Sequence, residues 1–443
     1  MIKLAKNFWG KVKEWYEDSA KNPSLYSYEE TKDYSAGTFV LAGLFAAVVF
    51  SVYYLLAFTY ALSTQVNDIQ CHAEFACDFY FGEGQFLKAW LRVPYMLWHL
   101  VVRFLNNRAG FPLADATAFT YAGFGLFTYV VTALFISGCL SAYTGKKQYS
   151  LSFVGSFILS FVGPLCCMWL EGDAYMGSFS PNPMHNPTHM AVKGFGLLTM
   201  MAGIDIIRRY REEKTMFLKN SKALYLYFGI FLFLSTITKP TFMYMLLPAG
   251  VIVVLSDAIY NGIKKTGKAK EIWKAAGKLC LALVPSLVYL IFEYCAFYFW
   301  GEETNGSSVI LTAPFEVWHM FTSQIKVRVL LAMCFPLFML ITRPGYFFKT
   351  VEGKLGIIGY LVGTIEFIFI AESNLRKDAG NFSWCMMAGM TVFFAVALVR
   401  LIIETLMKKN TAGHFAYVVT GWFLLFLHVY SCMYYYEVFQ LFI

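Results

Sequence analysis

An acid and a histidine with the spacing of one helical turn form the first of four clusters that could do chemistry. Asp68 and His72 lie four residues apart in a polar segment of this 443-residue chain, so on a helix both side chains would share one face. A carboxylate that a histidine orients, or to which it passes protons, can act as a general base toward a hydroxyl group. The alternative is an ordinary helix start with solvated side chains. The spacing makes Asp68 and His72 the candidate catalytic pair.

A stiff segment rich in proline, asparagine and histidine forms the second cluster. It reads Ser-Pro-Asn-Pro-Met-His-Asn-Pro-Thr-His over residues 180–189, and its prolines restrict the backbone. Asn186 is typical of a helix N-cap and Pro187 of the first helical position. The N–H groups at such a helix start can bind an anion. Simple helix initiation would account for Asn186 and Pro187, but not for His185 and His189.

Two acids, Glu171 and Asp173, precede this segment and are further candidates for ligand binding, with their individual roles left open. The spacing of His185 and His189 could also place two imidazoles on one face, with Asp173 or His72 as a third metal ligand. The proline between the two histidines leaves only one turn for that arrangement. No metal site is therefore assigned, although a divalent metal could bind.

Lys239 is a lone cation between two apolar runs and forms the third cluster, with the sequence Thr-Lys-Pro-Thr over residues 238–241. A charge at the boundary of a hydrophobic segment is costly, so it indicates a functional site. The alternative is a lysine that extends to the lipid headgroups. The proline that follows Lys239 is typical of another helix start.

The fourth cluster, residues 372–384, combines acidic and basic side chains. The planar guanidinium of Arg376 suits a phosphate or carboxylate ligand, and Glu372 lies four residues before it. A surface ion pair, which contributes little stability, is the alternative. Gly380-Asn381 is typical of a cap before the next helix. Together the four clusters predict a pocket for a phosphate-bearing ligand beside a base.

The composition predicts the elements that position these clusters. Hydrophobic residues make up 58% of the chain and charged residues only 14%, against about 25% in ordinary soluble domains. Apolar runs long enough to cross a bilayer as helices recur throughout the chain. We therefore predict an all-α, polytopic transmembrane helical bundle with about eleven spans, near residues 36–61, 114–142, 150–170, 188–207, 223–238, 241–260, 278–300, 326–342, 354–371, 385–406 and 413–434.

The net charge of +8 is explained by membrane topology and does not indicate nucleic-acid binding. Most of the 36 Lys and Arg residues lie in the N-terminal segment and in alternate loops, which places the N-terminus in the cytoplasm and the C-terminus outside. All four clusters then lie on the outer face. Residues 1–35 are predicted to be a cytoplasmic amphipathic segment, either resting on the membrane or solvated. Residues 36–443 form the transmembrane domain.

Residues 86–105 form an apolar stripe that Lys88, Arg92 and Arg103 interrupt. This pattern is typical of a helix that lies in the outer membrane interface. A transmembrane helix is the alternative, but it would invert the later topology and place the basic loops of residues 208–222 outside the cell. We therefore expect an interfacial helix in the first outer loop.

This layout resembles that of the C-type (GT-C) membrane glycosyltransferases: a cytoplasmic N-terminus, one span, a long outer loop with an acid at its start, interfacial helices and many further spans. Four motifs are also similar to those of a group of bacterial multi-pass proteins with the same layout. They are Asp68-x3-His72, the segment from Ser180 to Thr188, Thr238-Lys-Pro-Thr-Phe242 and Gly380-Asn-Phe-Ser-Trp384. The resemblance covers residues 36–434.

The resemblance implies a bacterial plasma-membrane enzyme that uses a polyprenyl-phosphate-linked sugar on the outer face. The acid of the first outer loop would be the base, and in this chain that residue is Asp68. The hypothesis is that Asp68, oriented by His72, deprotonates a glycan, lipid or protein acceptor. The lipid phosphate would leave into a pocket formed by Lys239, Arg376 and helix N-termini.

Three other functions are alternatives to glycosyl transfer. A transporter or flippase for lipid-linked sugars would need charges within its spans, for which Glu293 and Glu366 are candidates, and usually inverted repeats, which the sequence lacks. A polymerase or ligase of lipid-linked sugars shares the same phosphate chemistry. A noncatalytic membrane scaffold would leave the stiff segment at 180–189 unexplained.

Overall fold

The computed structural model of the protein describes residues 2–20, 35–63, 67–78, 85–93, 95–165, 179–218, 223–265, 267–300, 308–407 and 411–442. These residues form α-helices joined by short connections. In chain order the helices are α1 Ile2–Ala20, α2 Ala36–Ala61, α3 Asp68–Asp78, α4 Gln85–Arg92, α5 Leu97–Asn107, α6 Leu113–Thr144, α7 Tyr149–Ser160, α8 Pro187–Tyr210, α9 Leu224–Thr238, α10 Thr241–Ile263, α11 Ala269–Cys295, α12 Glu316–Phe321, α13 Ile325–Thr342, α14 Pro344–Lys349, α15 Val351–Phe369, α16 Ser383–Leu406 and α17 Ala412–Phe442.

Eight helices in the described part of the chain are long and apolar enough to cross a membrane. They are α2, α6, α8, α10, α13, α16, α17 and α11, which a π-helical turn, Ala296–Trp300, extends. A helix of about 20 residues is needed to cross the hydrocarbon core. The protein is therefore an all-α bundle of multi-pass membrane character. The other three predicted spans correspond to α7, α9 and α15, of 12, 15 and 19 residues.

The helix α16 lies at the centre of the bundle, and its apolar length is buried throughout. It packs most closely on α15, where small residues let the two backbones approach. A Cβ atom added at Gly389 would lie 2.6 Å from the Cα atom of Tyr360, and one added at Gly363 would lie 2.5 Å from the carbonyl carbon of Cys385. This contact fixes the segment that connects α15 to α16, which carries Glu372 and Arg376.

Two three-residue strands shape that connecting segment. The strand β1, Val309–Leu311, pairs antiparallel with β2, Ile370–Glu372, and Val309 lies opposite Glu372. The sequence predicts a span that continues to residue 371, but α15 ends at Phe369 and the chain turns into β2. A 3-10 helix, Asn374–Ala379, follows. The strand pairing holds Glu372 against the body of the protein.

The apolar stripe of the first loop forms two helices, α4 of 8 residues and α5 of 11 residues. The stripe is therefore two helices and not one continuous helix, because the proline between them lacks the N–H group that a continuous helix needs. Neither helix is long enough to cross a bilayer. On α5, Trp98 and Val102 are buried against Ala116 of α6 and Ala191 of α8.

The amphipathic N-terminal segment contains α1, as the spacing of its apolar residues predicts. It packs near α14, where the ammonium of Lys349 lies 4.7 Å from the ring centroid of Tyr16. Residues 21–34 lie outside the described part of the chain.

The bundle has two ends, the Asp68 end and the basic end. The Asp68 end contains Asp68, the start of α8 and the turn between α9 and α10, and the basic end contains the other termini of α6 and α8.

Candidate functional site

Asp68 is the first residue of α3, and α2, the preceding helix in the chain, ends at Ala61. The preceding Asn67 fixes this junction, because its side chain accepts a hydrogen bond from the N–H of Gln70 at 2.9 Å and donates one to the carbonyl of Tyr60 at 2.9 Å. The helix predicted for Asp68 and His72 is therefore present. The Asp68 side chain remains 46% exposed, so its carboxylate is accessible from solvent.

The amide of Asn186 connects Asp68 to Lys239. Its nitrogen donates to Oδ2 of Asp68 at 3.0 Å, and its oxygen accepts from the ammonium of Lys239 at 3.0 Å. The same oxygen accepts from the N–H of His189, so Asn186 is the N-cap of α8, with Pro187 in the first turn. The predicted cap is thus confirmed. The Asn186 side chain thus caps α8 and hydrogen-bonds both the Asp68 carboxylate and the Lys239 ammonium.

Lys239 is buried, with only 7% of its surface exposed, in the turn between α9 and α10. Its ammonium also donates to the hydroxyl of Thr188 at 3.3 Å and lies 4.5 Å from the ring centroid of Trp384. No carboxylate lies within ion-pair distance of it among the described residues. Burial lowers the pKa of Lys239 to about 8. A buried cation with neutral partners is stabilised by an anionic ligand.

A cavity of about 130 Å³ lies beside Lys239 at the Asp68 end. Glu372, Arg376 and Glu293 share its wall with Lys239, and aromatic rings, including Trp384, line the rest. Three of the predicted binding residues thus meet around one space. Glu293, which the sequence singles out only as an acid within a span, is a site residue that the four clusters do not include. Its Oε2 atom has no hydrogen-bond partner among the described residues.

Glu372 is buried in this wall and accepts three hydrogen bonds. The donors are the hydroxyl of Tyr298 at 2.5 Å, Nε of Arg376 at 3.2 Å and the side-chain amide of Asn381. The predicted helix cap at Gly380-Asn381 is wrong, because α16 begins after Phe382 and the Asn381 amide binds Glu372 instead. Arg376 stays one-third exposed, and its terminal NH2 groups make no hydrogen bond to the described residues.

The histidines surround Asp68 in an arrangement that differs from the predicted pair. His72 forms a hydrogen bond with His99 of α5 at 2.9 Å, and none with Asp68 among the described residues. His185 instead lies 3.9 Å from Oδ2 of Asp68. Burial holds the pKa of His72 well below its usual range and lowers the pKa of His99 to about 3 and of His185 to about 4. Burial therefore disfavours the charged form of all three imidazoles.

No group of three or more His, Cys, Asp or Glu side chains suited to a metal ion occurs in the described ranges. The ring of His189 lies against Trp384 in a tilted arrangement with centroids 5.4 Å apart, and the ring of His185 does so at 5.6 Å. Glu171 and Asp173, the other predicted binding residues, lie outside the described residues. The groups beside the Asp68 carboxylate are thus the amide of Asn186 and the imidazole of His185.

Fold and site together define a helical multi-pass membrane protein with an acid, a buried lysine and an exposed arginine at one end. No protein-family model matches the chain, and neither does any curated protein.

Proposed function

We propose that this protein is a GT-C-like glycosyltransferase of the cell membrane. It transfers a sugar from a polyprenyl-phosphate donor to a hydroxyl group of a glycan, lipid or protein acceptor on the outer face. Its topology has about eleven spans, with the N-terminus in the cytoplasm. The single observation that carries the proposal is the chain of hydrogen bonds from Asp68 through Asn186 to Lys239. It joins a base open to solvent to a cation in the wall of the cavity.

The cavity beside Lys239 suits the phosphate of the donor. Lys239 and Arg376 contribute two cations, and the terminal groups of Arg376 can form a two-pronged contact with phosphate oxygens. Aromatic rings line much of the cavity, and an apolar lining strengthens electrostatic interactions beside it. Groups already held in place stabilise negative charge that develops on a leaving phosphate.

An apolar groove suits the isoprenoid chain of the donor. Its volume is about 260 Å³, and it lies between α8, α9, α10 and α11 with walls made mostly of aliphatic side chains. On α10 it begins at Leu246, two residues after Tyr244, which lines the phosphate cavity. It continues to Leu255, about 14 Å further along the helix axis. A headgroup cavity and an apolar groove further along the same helix match a lipid-linked phosphate.

The reaction is a direct displacement. The acceptor hydroxyl gives its proton to Asp68 while its oxygen bonds to the anomeric carbon of the sugar. The bond between that carbon and the phosphate oxygen breaks, and the electron pair leaves with the lipid phosphate. Lys239 and Arg376 stabilise the added negative charge. His185, through its position near Asp68, takes the orienting role that the sequence suggests for His72.

A transporter or flippase for lipid-linked sugars is the second candidate. It is favoured by Glu293, a buried acid in the candidate span α11 that faces the same cavity. A lipid-linked sugar would bind the same cations in either case. The two functions differ in whether a glycosidic bond is broken, so they are separated by the assay below. A polymerase of lipid-linked sugars would also score as a transferase there.

The test is transfer of radiolabel from a panel of polyprenyl-phosphate sugars in membranes that contain the protein. Asp68→Asn should reduce transfer by at least about 100-fold, the usual contribution of a general base. Asp78→Asn is the matched control, because Asp78 ends the same helix with 47% of its side chain exposed. Transfer at the wild-type rate by Asp68→Asn would refute the assignment of the base. Movement of intact donor without transfer would favour the flippase.

A further inference from the structure

A further cavity, distinct from the cavity beside Lys239 and from the apolar groove, lies at the basic end of the bundle, away from Asp68. Its volume is about 550 Å³, and α6, α8 and the segment 214–218 form its walls. Lys147, Arg208 and Lys214 contribute three cations to the lining, and no acidic side chain belongs to it among the described residues. Arg208 bonds Glu213 at 3.1 Å, but neither lysine is paired with an acid within the described part of the chain.

The cavity is polar at one end and apolar at the other. Along α6 its lining runs from Gly145 back to Leu134, and along α8 from Arg208 back to Leu198. Each path covers about 15 Å of helix axis toward the middle of the bundle. Leu134, at the apolar end, is 47% exposed on the outer surface of the bundle. The cavity thus opens sideways where the bundle faces lipid.

One wall is held in place by a buried carboxylate. Asp205 has no exposed surface, and its two oxygens accept hydrogen bonds from the N–H groups of Met216, Phe217 and Leu218 at 2.6 to 3.0 Å. The ring of Phe217 then rests on Gly138, where an added Cβ would lie 2.3 Å from it. These contacts hold the segment against α6, so this wall of the cavity is built from the fold itself.

We infer that this cavity binds an anionic phospholipid from the membrane leaflet at the basic end. The phosphate lies between Lys147 and Lys214, and an acyl chain follows Leu198 and Leu134 toward the bilayer centre. The two lysines, which pair with no acid among the described residues, match the phosphate of such a lipid. The lateral apolar opening matches its acyl chain, and the wall built from residues 214–218 holds the space between them. A soluble phosphate compound shares the headgroup chemistry, but it would leave the apolar half of the cavity unused.

The test is lipid retention by the full-length protein, measured by native mass spectrometry after exchange into detergent with added phosphatidylglycerol or phosphatidylcholine. The wild type should retain phosphatidylglycerol preferentially. Lys147→Gln combined with Lys214→Gln should weaken that retention by about tenfold or more, because each lysine near a phosphate contributes appreciably. Lys264→Gln with Lys265→Gln is the control, because these lysines lie at the same end but do not line the cavity.

Three results would overturn the inference. They are equal retention of both lipids by the wild type, unchanged phosphatidylglycerol retention in the Lys147/Lys214 variant, and an equal loss in the control variant. Displacement of the lipid by millimolar glycerol phosphate would assign the site to a soluble phosphate compound instead. The single variants Lys147→Gln and Lys214→Gln, each checked by its melting temperature, replace the double variant if that variant does not fold.

Discussion

Lys239 and Asn186, 53 residues apart in the chain, are joined by a 3.0 Å hydrogen bond from the ammonium to the side-chain oxygen. The same amide caps α8 and binds Asp68. Because one amide makes these contacts at once, the position of the candidate base depends on the start of a buried helix and on the turn between α9 and α10.

Asn186→Ala should therefore impair activity more than stability. The loss of the cap should cost about 1 kcal/mol in the free energy of unfolding, while sugar transfer should fall at least tenfold because Asp68 and Lys239 lose their common partner. Thr350→Ala is the matched control, since Thr350 caps α15 through the N–H of Gly353, away from the site. Melting temperature and transfer rate, measured side by side, check this. Equal activity losses in both variants would show that the cap alone matters.

Lys239→Met should weaken binding of the lipid-linked donor by at least tenfold. Methionine keeps the apolar stem of the side chain but removes the ammonium that donates to Asn186 and Thr188. Donor affinity, measured by equilibrium binding of a polyprenyl phosphate, is the readout. Lys377→Met is the control, because Lys377 belongs to the same end but pairs with Glu316. Unchanged affinity in Lys239→Met would remove Lys239 from the phosphate site.

Acidification should destabilise the protein through its buried histidines. The pKa of His99 is lowered to about 3 and that of His72 well below its usual range, both chiefly by burial, with Lys239 adding repulsion. Between about pH 6.5 and 3 these two histidines are therefore protonated more fully in the unfolded chain than in the folded chain. The free energy of unfolding should fall with decreasing pH, by up to about 1.4 kcal/mol per pH unit for each histidine.

Melting temperatures between pH 7.5 and 5 test this slope. His99→Gln should flatten the loss of stability below pH 6.5, because one group that titrates only in the unfolded chain is gone. His319→Gln is the control, since His319 is exposed on α12. A variant at His99 with the full wild-type slope would contradict the linkage.

Gly389→Ala should destabilise the bundle by about 1–3 kcal/mol, because the added methyl group meets the backbone of α15. Gly277→Ala should be neutral or stabilising, since a Cβ at Gly277 meets no atom within 4 Å and alanine favours the helix. Thermal unfolding in detergent compares the two. Equal melting temperatures would mean that α15 and α16 separate more easily than their close contact indicates.

Local sequence patterns predict the helices and several of their ends. The apolar runs correspond to helices because a hydrophobic stretch must satisfy its own backbone in lipid, whatever its neighbours. Asn186-Pro187 predicts a helix start for a similarly local reason. The apolar period of residues 86–105 predicts helical structure there, and the proline between α4 and α5 accounts for the break. The strand β2 could not be predicted, because its partner lies some 60 residues earlier.

The sequence by itself determined that this is a multi-pass helical membrane protein and that acids, histidines and cations gather between particular helices. Only the tertiary structure decided their partners. His72 is paired with His99 and Asp68 with Asn186, because side-chain contacts between helices depend on how α3, α5 and α8 pack. Hydropathy and capping are properties of neighbouring residues, whereas Asp68 and Asn186 are 118 residues apart and meet only in the folded bundle.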